Sequence, residues 1–94
     1  MNFILKILKK EIPKLKKKYP IVQLAVFGSA VRDDFDTKKS DIDIMVLLSK
    51  PDVIAFIELA NELEKLLNFK VDLVSKNGIK PRYMESIKED LVYV

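Results

Sequence analysis

The chain has 94 residues, of which 49% are hydrophobic and 33% charged, with a net charge of +3. That balance is globular, and a chain this short builds one core, so one domain spanning 1–94 is expected. With no cysteine and no histidine, disulfides, thiolate chemistry, a zinc site and a Ser-His-Asp relay all drop out. Any catalysis must use carboxylates, lysine, arginine, hydroxyls or a hard cation held by oxygen.

The opening segment, 2–18, places Phe3, Ile4, Ile7, Leu8, Ile12 and Leu15 at helical spacing. Pro13 interrupts it, and a proline inside a helix costs about 3 kcal/mol. A break near Ile12 is therefore expected, with Pro13 opening a second short helix. The basic run "KLKKKY", 14–19, reads as a solvated helix face. The lysines dispersed through this segment, and the absence of a small-residue cleavage site, do not fit a signal peptide. No apolar run approaches the length needed to span a membrane. A cytoplasmic protein is expected, and the mild positive charge suits an anionic ligand without requiring a nucleic acid.

"IVQLAVF", 21–27, reads as a strand covered on both faces. Gly28 and Ser29 follow at once, where the backbone must turn sharply or approach a ligand closely. A strand-Gly-Ser-helix transition would aim backbone N–H groups and a hydroxyl at an anion, with Arg32 adding a phosphate contact. An ordinary turn with Ser29 as its cap is the plainer alternative. "DIDIMVLL", 41–48, is a second strand. Strand alternation puts Asp41 and Asp43 on one face, about 7 Å apart, and turns Ile42 and Ile44 to the other. Beyond them the acidic row becomes Met45 and Leu47. At that separation and an effective dielectric near 20, the two charges repel by about 2 kcal/mol, a sign that a dication such as Mg²⁺ would reverse.

Residues 51–67 are strongly helical. Val53, Phe56, Ile57, Ala60, Leu63 and Leu67 form the apolar face, Leu59 and Leu66 widen it, and Ile54 lies outside it. Such an arc is mainly core, with room for a partner or dimer surface. "FKVDLVS", 69–75, is a third strand in which Asp72 repeats the context of Asp43. If strands two and three are neighbours in register, Asp72 joins Asp41 and Asp43 as a triad able to hold two metal ions. Asp72 is then the candidate to take a hydroxyl proton. Asn77-Gly78 marks a turn, 81–90 a short helix, and "LVYV" a small terminal strand. Tyr83 and Tyr93 are expected as packing residues. The order α-β-loop-β-α-β-α predicts an α/β (α+β) protein, a small mixed sheet flanked by helices.

The spacing G-S-x₁₁-D-I-D followed by a third acid in "VDLV" resembles the nucleotidyltransferase superfamily that includes DNA polymerase β. The fuller string "FGSAVRDDFDTKKSDIDIMVLL" resembles its minimal members, the MNT proteins, and the likeness extends to the ending "YMESIKEDLVYV". That resemblance implies a nucleotidyltransferase fold. It implies that Gly28 and Ser29 hold the triphosphate of ATP, that Asp41 and Asp43 bind Mg²⁺, and that Asp72 assists the acceptor hydroxyl. Family members often carry Arg-Gly after the turn; here Asp33 follows Arg32 where that glycine is common, so the resemblance implies neither a shape for the 33–40 loop nor a role for Ser40. Many MNT proteins are antitoxins paired with a HEPN-domain toxin, and some transfer AMP to a tyrosine of that toxin. A partner completing the site, as a homo- or hetero-oligomer, is thus implied. Two rival readings are an antitoxin that neutralises by occlusion without catalysis, and a small basic nucleic-acid-binding module, which the single basic segment and sparse aromatics disfavour.

Overall fold

The computed structural model describes residues 3–32, 36 and 38–94. Asp33, and with it most of the expected departure in the 33–40 loop, lies outside the described residues.

Helix α1 runs unbroken from Phe3 to Lys18 with Pro13 inside it. The expected break at Ile12 does not occur. Ile4 and Leu8 are buried on one side of Pro13 and Leu15 on the other, along a single stripe. Packing thus anchors both halves of the helix, and Pro13 itself is exposed, so its missing N–H falls on the solvent side. Lys16, Lys17 and Lys18 close the helix, where positive charge suits the C-terminal end of the dipole. Lys18 then pairs with Glu62 at 3.0 Å.

Strand β1 (Ile21–Phe27) pairs antiparallel with β2 (Ile42–Leu48). Helix α2 (Val53–Leu67) returns the chain to β3 (Val71–Ser75), which pairs parallel with β2. Helix α3 (Pro81–Ile87) leads to β4 (Val92–Tyr93), antiparallel to β1. The sheet order is β3-β2-β1-β4, a mixed sheet as expected, with β3 an open edge. Asp52 caps α2 by accepting a hydrogen bond from the Ala55 N–H at 3.0 Å, and Asn68 ends the helix in the left-handed conformation.

The sheet has two unlike faces. Leu24, Val26, Ile42, Ile44 and Val46 pack under α1 and α2, against Ile4, Leu8, Leu15, Leu59, Leu63 and Leu67. On the opposite face Ala25, Phe27 and Met45 pack with Ile87, bordered by Val74, Ile79, Met84 and Leu91. The apolar arc of α2 is narrower than expected. Its buried line is Leu59, Leu63 and Leu67, whereas Val53 is 71% exposed and Ile57 54%. Ile57 stands about 120° around the helix from Leu63, at the limit of what the sheet can cover. Ile54, placed outside the arc, is exposed as expected. Among the described residues no helix is long and apolar enough to cross a membrane.

Candidate functional site

The site lies where β1 ends and where β2 and β3 begin. Phe27 on β1, Asp43 on β2 and Asp72 on β3 are successive partners in one row across the sheet. The next row is Ala25, Met45 and Val74, and both rows point toward α3. Acid therefore gives way to a small core within one step along the strands. Two rows further on, Lys76 donates to the Gln23 side chain at 2.8 Å, closing the far end of this face.

Gly28 follows Phe27 with φ +72°, a conformation that favours glycine. A second constraint is as strict. A Cβ on Gly28 would collide with Asp43 Oδ2 and sit 3.2 Å from its Cγ. The backbone of the turn is thus laid directly against the Asp43 carboxylate. Gly28–Ala30 forms one 3₁₀ turn, closed by the Val31 N–H donating to the Gly28 carbonyl at 3.1 Å. Phe27, not Ser29, occupies the capping position. Ser29 stands inside the turn, partly exposed, and its hydroxyl makes no hydrogen bond among the described residues.

The electrostatics of the row are unfavourable as they stand. Burial, and then the neighbouring charges of Asp72 and Asp41, push the Asp43 carboxyl above the usual carboxylate range, while Arg32 opposes the rise. Arg32 is largely exposed and forms an ion pair with Asp90 at 3.1 Å. The structure thus brings Asp43 and Asp72 side by side, sets the exposed Asp41 within range of them, and holds Arg32 near Asp43. It does not draw the three acids into a closed cluster: among the described residues no group of three acidic side chains is disposed to hold a metal ion. The donor chemistry nonetheless fits a hard dication, since only carboxylate oxygens converge and their mutual repulsion is what such an ion relieves.

One residue at the site was not foreseen. Tyr83 on α3, expected to be mere packing, presents its ring edge-on to Phe27, with centroids 6.4 Å apart and planes at 81°. Burial, Asp43 and Asp72 together raise its phenol above the ordinary value. No signal in the sequence points there, because the contact depends on how α3 crosses the sheet. Tyr83 also walls a cleft of about 460 Å³ along the open edge of β3, with Leu73, Val74, Ser75, Ile79 and Lys80. A second cleft, of about 420 Å³, lies at the opposite end of the strands, between the β2–α2 connection and Ser75 and Asn77.

Comparison with known proteins agrees with the fold. Residues 5–94 match the nucleotidyltransferase domain family. A Methanocaldococcus jannaschii relative named "Putative protein adenylyltransferase" is 49% identical over 90 residues, covering 94% of this chain and 91% of that one. The protein adenylyltransferase MntA of Thermococcus cleftensis is 38% identical over 81 residues, covering 85% and 81%. Among solved structures, a Shewanella oneidensis complex of a tri-AMPylated HEPN toxin with its MNT antitoxin matches with a TM-score of 0.58. There the identity is 30%, over 98% of this chain and 66% of that one. The chain therefore belongs to the nucleotidyltransferase domain family, as a minimal, MNT-type nucleotidyltransferase.

Proposed function

We propose that this protein acts in the cytoplasm as the antitoxin of a HEPN-type toxin, its single minimal domain transferring AMP from ATP to a tyrosine hydroxyl of that partner. The observation that carries the proposal is the row Phe27–Asp43–Asp72 with the Gly28 backbone pressed against Asp43. It puts a bare backbone turn and two adjacent carboxylates at one end of one face.

Each residue then has a defined task. The Gly28–Ser29 turn receives the triphosphate, the Ser29 hydroxyl donating to a phosphate oxygen. Arg32, near Asp43 and already offering its guanidinium to Asp90, adds positive charge at the phosphates. Asp41 and Asp43, with Asp72, would hold Mg²⁺, one or two ions, which when bound supplies Lewis-acid stabilisation of the phosphoryl oxygens. Asp72, the more exposed member of the row, accepts the proton of the attacking hydroxyl. The hydroxyl oxygen bonds to the α-phosphorus and pyrophosphate leaves. The acceptor approaches from solvent and itself completes the site, so the working form is a complex with the partner.

The test is to incubate the protein with α-labelled ATP, Mg²⁺ and the HEPN protein encoded beside it. AMP on a partner tyrosine is the expected result, abolished in Asp43→Asn. Full transfer by Asp43→Asn would sink the proposal. Toxin neutralised with no AMP added would show an antitoxin that acts by occlusion.

A further inference from the structure

The chain has three tyrosines, and the fold gives each a different setting. The Tyr19 hydroxyl is committed, donating to Glu62 at 2.8 Å. Tyr93 stands on β4 beside Ala25, one row behind Phe27 and two strands from β2. Tyr83 stacks edge-on against Phe27, whose partner in the sheet is Asp43 and, beyond it, Asp72. It is 44% exposed. Its hydroxyl makes no hydrogen bond among the described residues. It also borders the open cleft along β3, so one side of the ring faces open space.

We propose that Tyr83 is an acceptor in its own right: the chain adenylylates itself at the Tyr83 hydroxyl, using the same triphosphate and the same acids. The inference rests on the function proposed above and extends it to a second acceptor. The Tyr83 oxygen bonds to the α-phosphorus of ATP, the bond from that phosphorus to the bridging oxygen breaks, and pyrophosphate carries the electron pair away. The phenolic proton passes to the Asp72 carboxylate. ATP is the one reagent consumed, and the product is a tyrosyl phosphodiester on α3. The ring of Tyr83 lies against Phe27, the direct sheet partner of Asp43, so the phenol is on the face that carries both acids before any partner arrives. The tied hydroxyl of Tyr19 and the remote one of Tyr93 are the internal controls.

The experiment uses the purified full chain, α-labelled ATP and Mg²⁺, with and without the neighbouring HEPN protein, read by intact mass and peptide mapping. In the absence of the partner, one AMP is expected on Tyr83, with a rate constant independent of protein concentration, as transfer within one chain requires. Tyr83→Phe, which keeps the ring against Phe27, should melt like the wild type and acquire no AMP. AMP on the partner with none on the chain overturns this inference and leaves the proposed function standing. No AMP on either protein overturns both. AMP on Tyr19 or Tyr93, or label surviving in Tyr83→Phe, also overturns it.

Discussion

Replacing Asp72 with asparagine should stabilise the fold while removing activity. Asp43 and Asp72 are direct partners on adjacent parallel strands, and adjacent strands lie about 4.8 Å apart. Two unit charges at about 5 Å repel by about 3 kcal/mol at an effective dielectric of 20. Asp72 is exposed, and solvent screening reduces this to about 1 kcal/mol. The Asp43 carboxyl is held above its ordinary range, by burial first and by Asp72 next. Its folded form thus binds the proton more tightly than its unfolded form. The contribution is fully present below the unfolded value of 3.8 and is lost as pH rises through the raised one. The repulsion therefore weighs more at pH 7 than at pH 3.8. Asp72→Asn at pH 7 and low salt should gain about 1 kcal/mol, raising Tm by about 4–8 °C in a domain of this size. The gain should shrink in high salt, and shrink as pH falls to 3.8, where the fold retains the Asp43 proton. Thermal melts at both pH values, with and without salt, measure it. A Tm at pH 7 that is unchanged or lower in Asp72→Asn would refute the reasoning, as would an equal gain at both pH values.

Gly28→Ala should lose transfer and about 1–3 kcal/mol of stability, because the new Cβ meets Asp43 in a backbone conformation that alanine resists; urea unfolding reads the cost. Tyr19, shielded by burial and hydrogen-bonded to Glu62, has its phenol pushed up to about 12. Its contribution to stability should hold below pH 10 and disappear as pH climbs toward about 12, and ultraviolet titration should find a tyrosine ionising near 12 that Tyr19→Phe removes.

Strand periodicity made much of the site legible. Asp43 and Asp72 stand side by side because β2 and β3 are parallel neighbours in the register that aligns 43 with 72, while Asp41 stands just ahead of β2. Gly28 was readable as a turn, but not as a residue pressed against Asp43, since that contact joins segments far apart in the chain. The unbroken α1 was not readable, because helix propensity at Pro13 is overridden by Ile4, Leu8 and Leu15, which the sheet anchors on both sides. Nor was the exposure of Val53 and Ile57, which a periodic pattern alone counts as core. Tyr83 lay further still from reach: its place beside the acids is set by the crossing of a seven-residue helix.

The inequality of the two sheet faces has a kinetic consequence. Thirteen buried residues hold α1 and α2 to one face, whereas four form the core beneath α3. Little apolar surface has to be hydrated to lift α3, so that side has the lower opening free energy. Amide protons around α3 and β4 should therefore exchange through excursions that leave the β1–β2 amides protected. Asp43 and Asp72, the proposed catalytic acids, line the shallow side. Their neighbourhood can loosen to admit a bulky acceptor while the deep side keeps the rest of the chain folded.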